Sequence, residues 1–118
     1  MATKGNLMNR PELLKLHDEL CAEAKQIMEV KNHDYAGGKH IHEPFANFTR
    51  VESMGITTTE KGLLVRMTDK MSRLSTFCQE GKFLVKDESL RDTILDTINY
   101  GILLYAYVRS KDHEQGTK

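Results

Sequence analysis

The sequence predicts an all-α fold, a small helical bundle of three long helices and one short helix. Apolar residues recur at three- and four-residue spacing in three long segments, and no segment alternates for long enough to form a sheet. Capping residues and glycines separate the segments where helices start and stop. We interpret residues 1–118 as one domain, long enough to bury a core, with flexible ends at 1–9 and 110–118.

The first long helix is predicted to begin after Asn9. Asn9 and Glu12 have the spacing of a capping box, and Pro11 lies in the first turn. Its apolar stripe is Leu13, Leu16, Leu20, Ala24, Ile27 and Met28. The stripe ends near Val30–Lys31, and a polar loop over residues 31–43 with a Gly-Gly pair follows.

The next two helices have equally clear boundaries. The short helix starts at Pro44, turns Phe45, Phe48 and Val51 inward, and stops at Gly55. A capping box over 57–60 precedes the second long helix, and Gly81 ends it. The apolar stripe of this helix is Leu63, Leu64, Met67, Met71, Leu74, Phe77 and Cys78.

The third long helix, capped by Asp87 and predicted to run to about Arg109, carries the most informative pattern. A row of acids and one amide shares a face of it: Glu88, Asp92, Asp96 and Asn99. Leu103 and Tyr107 extend that face into a segment that is apolar on nearly every side. We expect the row to enter a packed interface, where carboxylates need cations, a metal or hydrogen-bond donors. The alternative is an exposed acidic first half of a helix, favoured there by the helix dipole.

Composition narrows the function classes. The charges of seventeen basic and seventeen acidic residues cancel. The sequence has no basic tail, so we do not expect it to bind nucleic acid. Without a signal peptide or a long apolar run, we expect a soluble, cytoplasmic protein with no membrane partner. Cys21 and Cys78 are predicted to be reduced core residues. The apolar end of the last helix exceeds what one small bundle covers, so a homo-oligomer, a dimer or a tetramer, is expected.

A cationic row on the second long helix is a candidate phosphate site. Arg66, Lys70 and Arg73 share one face, and both side-chain types bind phosphate well. Asp69 lies among them, so ion pairs within the helix are the alternative reading. Pairing with the acidic row across the bundle is a third.

The loop and the short helix add further polar candidates. Tyr35 would stack a base while Lys31 and Lys39 approach phosphate, and Asn47 would bond a base edge or cap the short helix. The roles of His33, His40 and His42 stay open, since such spacing is a weak metal signal. No nucleophile–base motif or phosphate loop is present. If catalysis occurs, the plausible kind is attack of water on phosphate, with Mg²⁺ held by Asp92, Asp96 and Glu88 or Asp69.

Four segments in series resemble the nucleotide-modification-associated domain of phages and bacteria: Lys31–Tyr35, Phe45–Phe48, Arg66–Leu74 and Asp87–Tyr100. The resemblance covers about residues 25–108, with an apparent insertion in the loop and Ala36 where glycine is expected. It implies a helical, phage-type protein tied to nucleotides. The implied ligand-binding residues are Lys31, Tyr35, Asn47, Arg66, Asp69, Lys70, Arg73, Asp92, Asp96 and Asn99.

The chain is also distantly similar to the all-α nucleoside triphosphate pyrophosphatases of the MazG and dimeric dUTPase kind. Those carry Glu-x-x-Glu and Glu-x-x-Asp pairs that hold Mg²⁺, whereas here the first helix of the pair carries Arg66, Lys70 and Arg73. Cations repel Mg²⁺ and attract phosphate directly. Binding without turnover, and without a cofactor, is thus the favoured expectation, as in the viral anti-CBASS sponges that sequester cyclic oligonucleotides. A Mg²⁺-dependent pyrophosphohydrolase using Asp69, Asp92 and Asp96 is the alternative, and a scaffold in phage nucleotide modification is the third.

Overall fold

The computed structural model describes residues 6–35, 44–83 and 89–114, with the side chains of 32–35 and 113–114 also left out of the description. These ranges contain four helices and no strand: α1 (Arg10–Tyr35), α2 (Ala46–Ser53), α3 (Thr59–Glu80) and α4 (Leu90–Glu114). The prediction of an all-α helical bundle is confirmed.

Helix α4 is the central element, because it packs against both α1 and α3. Helix α2 packs on α3. Phe45, just before α2, contacts Tyr107 of α4, and Phe48 of α2 contacts Tyr100 of α4, each edge to face. The core between these helices is small. Its buried apolar side chains in the described ranges are Ala24, Phe48, Leu63, Leu95 and Leu103.

Several helix ends form as the sequence predicted. The Asn9 and Glu12 side chains each accept a hydrogen bond from the other residue's backbone N–H, both at 2.9 Å. Gly81 has a φ of 77°, and its N–H donates to the Phe77 carbonyl at 2.7 Å. Gly55 has a φ of 74° just after α2. Residues other than glycine rarely adopt this backbone conformation.

Other boundaries differ from the prediction. Helix α1 continues to Tyr35. Lys31 is therefore helical, and we attribute the extension to the absence of glycine or proline before Gly37. Helix α2 begins at Ala46, two residues after Pro44. Helix α4 begins at Leu90 and continues to Glu114, five residues beyond the predicted end. Asp87, predicted as its cap, lies outside the described residues.

Helix α4 instead starts from a serine cap. The Ser89 hydroxyl accepts a hydrogen bond from the Asp92 N–H at 3.0 Å. This bond satisfies one of the backbone donors that the first turn of a helix leaves without a partner. Ser89 therefore has the N-cap role that the sequence predicts for Asp87.

The predicted capping box over 57–60 is wrong, since Thr58 caps α3 by accepting from the Lys61 N–H at 3.2 Å. A carboxylate from α2 adds a second cap, because Glu52 accepts from both the N–H and the hydroxyl of Thr59, at 2.9 and 3.0 Å. Glu60 turns away from the helix end and accepts a hydrogen bond from the Lys111 ammonium at 2.8 Å.

The pair of Glu60 and Lys111 joins the start of α3 to the end of α4. The hydrogen bond from Lys111 lowers the pKa of Glu60 below its usual value, and the same bond raises the pKa of Lys111. Glu60 Oε1 is buried and has no hydrogen-bond partner among the described residues, while Oε2 accepts the bond from Lys111. Lys111 also lies 5.7 Å from the Tyr107 ring centroid. This junction clamps the α3–α4 pair at one end.

Glycine allows α2 to approach α3 closely. A Cβ placed on Gly62 would come within 2.9 Å of a Val51 methyl carbon. Val51 is β-branched and held on a helix, so its side chain has little freedom to move aside. The contact fixes how near α2, and with it Phe48, lies to α3.

The apolar stripes are only partly buried. Phe48 and Leu63 point inward as predicted, but Leu13, Leu64 and Met71 are each more than half exposed. Cys21 and Cys78 are free thiols, yet both are exposed, so their predicted place in the core is wrong. Among the described residues α1 packs mainly on α4, and α3 packs on α4 and α2, and these contacts leave the exposed parts of both stripes uncovered. Among the described residues, no helix is long and apolar enough to cross a membrane.

Candidate functional site

The polar row of α4 passes from solvent into the core. Asp92 is exposed, the Asp96 side chain is 25% exposed, and Asn99 is buried. Asn99 donates a hydrogen bond from Nδ2 to the Ala24 carbonyl of α1 at 2.9 Å. Leu103 continues the row inside the core. This is the course that the sequence predicted for residues 92–103, while Glu88 lies outside the described residues.

Two lysines from different helices meet at Asp96. Lys31 Nζ of α1 lies 3.2 Å from Asp96 Oδ1, and Lys70 Nζ of α3 lies 3.2 Å from Asp96 Oδ2. Both carboxylate oxygens therefore face an ammonium group. Lys70 is the more enclosed cation, with a side chain 17% exposed against 48% for Lys31. Desolvation strengthens electrostatic interactions, so Lys70 is the stronger electrostatic partner of the two.

The network extends along α3 through Asp69. Asp69 Oδ2 lies 4.0 Å from Lys70 Nζ and accepts a hydrogen bond from Arg73 Nε at 3.2 Å. Among the described residues, the network joins Lys31, Lys70 and Arg73 to the carboxylates of Asp69 and Asp96. The intrahelical pairing of Arg73 and Asp69 and the pairing of Lys70 across the bundle, both foreseen as alternatives, occur together.

An aromatic cleft opens beside this network. Its lining residues are Met28, Lys31, Phe48, Asp96, Asn99, Tyr100 and Leu103. The cleft is open to solvent, and its enclosed volume is about 40 Å³. The Phe48 and Tyr100 ring centroids are 6.4 Å apart at an interplanar angle of 84°. Polar groups at the mouth of an apolar cleft are typical of small-molecule sites.

Arg66 joins the cleft through an aromatic contact. Its guanidinium carbon lies 5.1 Å from the Phe48 ring centroid, a cation–π geometry. The predicted cationic face of α3 therefore divides among three partners. Arg66 reaches Phe48, Lys70 reaches Asp96, and Arg73 reaches Asp69.

The remaining predicted residues lie apart from the cleft or outside the described residues. Asn47 accepts a hydrogen bond from the Arg50 side chain at 3.2 Å within α2. The prediction that Asn47 caps the short helix is wrong, because the N-cap of α2 is Phe45. Tyr35 belongs to α1, but its side chain, like that of His33, is outside the described residues. Residues 36–43, with Lys39, His40 and His42, are outside them as well. The structure thus brings together Lys31, Lys70, Asp96 and Asn99, with Arg66, Asp69 and Arg73 adjoining.

Sequence reasoning missed the walls of the cleft. The sequence places three lining residues only in apolar stripes or motifs, and the structure shows that they line the cavity: Met28, Phe48 and Tyr100. Their signal was present in one respect, since each precedes or follows a polar candidate by three residues or fewer. No spacing rule reveals that such neighbours share a cavity, because the cavity needs three helices.

Within the described residues, no group of three or more His, Cys, Asp and Glu side chains is placed to hold a metal ion. No family model matches the chain, and searches of curated proteins and of solved structures found no match either. The chemistry of the cleft is therefore the main guide to function.

Proposed function

We propose that this protein binds a phosphorylated nucleotide in the cleft between α1, α2 and α4 and holds it without turnover. The observation that supports this most directly is the convergence of Lys31 and Lys70 on Asp96 at the mouth of an aromatic cavity. Two ammonium groups that bind two oxygens of one carboxylate are also spaced to bind two oxygens of one phosphate. The Asp96 carboxylate thus stands where a ligand phosphate would compete for the same donors.

The cleft supplies the complementary apolar part. Phe48 and Tyr100 give it aromatic walls, and base–aromatic contacts are typically worth about 1–3 kcal/mol per base. The guanidinium of Arg66, beside Phe48, adds to the attraction for an anion. A cyclic di- or oligonucleotide, with phosphates on either side of its bases, is the ligand class that we favour. The protein would then sequester an immune signal in a host cytoplasm, as a phage-encoded sponge does.

The alternative is a Mg²⁺-dependent pyrophosphohydrolase that uses Asp69, Asp92 and Asp96. Against it, both oxygens of Asp96 already face lysines, and Asp69 faces Arg73 and Lys70. A Mg²⁺ ion would have to displace these cations before the carboxylates could bind it. We therefore place sequestration first and hydrolysis second, with a scaffold role in phage nucleotide modification as the third proposal.

A ligand-fate assay separates the three. The protein is mixed with nucleoside triphosphates, cyclic dinucleotides and Mg²⁺, separated from free ligand, heat-denatured and analysed by liquid chromatography and mass spectrometry. We expect intact nucleotide from the denatured protein. Monophosphate with pyrophosphate in solution would instead establish the hydrolase, and no ligand with no product would leave the scaffold.

We also propose that the chain works as a homo-oligomer, a dimer or a tetramer. Large apolar side chains are exposed on three of its helices, including Val30 of α1, Val65 of α3 and Tyr105 of α4. Monomeric proteins rarely leave large contiguous apolar patches in water.

A further inference from the structure

One side of α4 is apolar but lies away from the core. The core side carries Asp96, Asn99 and Leu103. The opposite side carries a row with alternating spacings of four and three residues: Ile94, Ile98, Gly101, Tyr105 and Val108. Tyr105 is 68% exposed and Val108 is 39% exposed, while the first three are partly exposed. This spacing is the seam along which one helix packs against another.

Gly101 lies in the middle of this row, and the described part of the subunit gives no reason for a glycine there. It lies inside a 25-residue helix, where glycine costs about 0.5–1 kcal/mol relative to alanine. Its φ is not positive, so the backbone freedom of glycine is not used. A Cβ placed there would meet no described residue within 4 Å, so none of these residues excludes a side chain. Close approach of a helix from outside the subunit would explain the residue, since small side chains shorten the distance between helix axes.

We propose that a second copy of this chain packs its α4 antiparallel against this row, with the twofold axis at Gly101. An isologous interface requires that a residue before the axis match one at the same distance after it. Ile94 and Val108 each lie seven residues from Gly101, so each would face the other across the axis. Ile98 lies three residues before the axis and Tyr105 four after it, so this apolar pair is offset by one residue, about 1.5 Å along the helix.

The composition of the chain favours a second copy over a charged partner. The formal net charge is zero, so two copies do not repel each other. The row contains no charged residue from 94 to 108. Five apolar residues are buried in the described ranges, and a partner helix would enlarge this small core. A shallow hollow lined by Tyr105, Ala106, Arg109 and Ser110 opens beside the C-terminal half of the row, where the partner's Ile94 would arrive.

Disulfide cross-linking tests the axis directly. Gly101→Cys is placed in a Cys21→Ser, Cys78→Ser background and oxidised under dilute conditions. Antiparallel packing at Gly101 brings the two introduced cysteines within the Cα separation of about 4.4–6.8 Å that a disulfide allows. We expect most of the protein to become a covalent dimer on a non-reducing gel. Leu14→Cys in the same background is the control, because Leu14 is 53% exposed on α1 and away from the row. Equal cross-linking of the two variants would overturn the proposal.

A charge placed in the row tests the interface without cross-linking. Sedimentation velocity compares the wild type, Tyr105→Glu and the control Leu14→Glu, with circular dichroism to verify that each is folded. We expect the wild type and Leu14→Glu to be dimeric or larger, and Tyr105→Glu to dissociate at concentrations at least about tenfold higher. A monomeric wild type at about 100 μM, or a folded Tyr105→Glu that associates as the wild type does, would contradict the proposal. Neither variant touches the cleft, so these results are independent of ligand binding.

Discussion

Two ionic junctions join α4 to its neighbours, and they differ in the number of ammonium groups that meet the carboxylate and in what lies beside them. At the single-lysine junction, at one end of the bundle, Glu60 meets Lys111, one carboxylate against one ammonium. At the two-lysine junction Asp96 meets Lys31 and Lys70, one carboxylate against two ammonium groups. The two-lysine junction borders the aromatic cleft, and its ammonium groups are the donors that we propose a ligand phosphate takes over from Asp96. The comparison therefore separates a structural contact from a proposed binding site.

The largest effect is expected from removing Lys70, the more enclosed cation of the two-lysine junction. Lys70→Met keeps much of the side-chain length but loses its charge-assisted bond to phosphate. Such bonds contribute about 1.5–3 kcal/mol, so nucleotide affinity should fall by about 10- to 150-fold in isothermal titration calorimetry. Lys61→Met, an exposed lysine on the same helix, is the matched control and should bind normally. Equal losses of nucleotide affinity in the two variants would contradict the proposal that the nucleotide binds at the cleft.

The next effect should touch both junctions, since α2 contributes Phe48 to the cleft and Glu52 to the cap of α3. Gly62→Ala creates a contact of 2.9 Å with Val51 and should lower the free energy of unfolding by about 1–2 kcal/mol after the helix propensity gained by alanine. Thermal unfolding measures it. The double variant Gly62→Ala, Val51→Ala should be less destabilised than the two single changes added together. Strict additivity would mean that the close approach is not what Gly62 provides.

Breaking the single-lysine junction should affect stability alone. Lys111→Met leaves the Glu60 carboxylate without its ammonium partner and should lower the unfolding temperature by a few degrees. Nucleotide affinity should not change. If Lys111→Met weakened binding as much as Lys70→Met, the distinction between the two junctions would be wrong.

The smallest effect is the pH dependence of that stability difference. Glu60 has a lowered pKa in the folded state, so its contribution is present above the ordinary value and is lost as pH falls through the folded pKa. Lys111 has a raised pKa, so its contribution is present below the ordinary value and is lost as pH rises through the folded pKa. The gap between wild type and Lys111→Met should be constant from about pH 5 to pH 10 and shrink in acid. Urea unfolding at several pH values measures it, and a gap that grew in acid would contradict the assignment.

What the sequence predicted well is local. The capping box at Asn9, the stop at Gly81 and the inward course of the row from Asp92 to Asn99 all depend on residues within a few turns of each other. Periodicity relates positions along one helix, so it also grouped the polar residues of α3 and α4 correctly by face.

The ionic contacts of the candidate site and of the Glu60–Lys111 pair are not local in the sequence. Lys31 and Asp96 lie 65 residues apart in the sequence, and Glu60 and Lys111 lie 51 apart. Which cation meets which carboxylate depends on how three helices pack, and spacing within one helix carries no such information. The same limit explains the exposed cysteines, because an apolar stripe says that a helix has a packing face without saying which part is covered.

Asp96→Asn gives the most direct test of the central claim, that Asp96 occupies the place of a ligand phosphate between Lys31 and Lys70. The amide removes the competing negative charge while keeping the shape of the side chain. Calorimetric titration of the wild type and Asp96→Asn with a cyclic dinucleotide, with a nucleoside triphosphate and with Mg²⁺ present throughout, measures affinity and turnover together. We predict that Asp96→Asn binds the cyclic dinucleotide about three- to tenfold more tightly, worth about 1 kcal/mol, with no turnover in either protein. Weaker binding by Asp96→Asn, or hydrolysis by the wild type that the substitution abolishes, would contradict it.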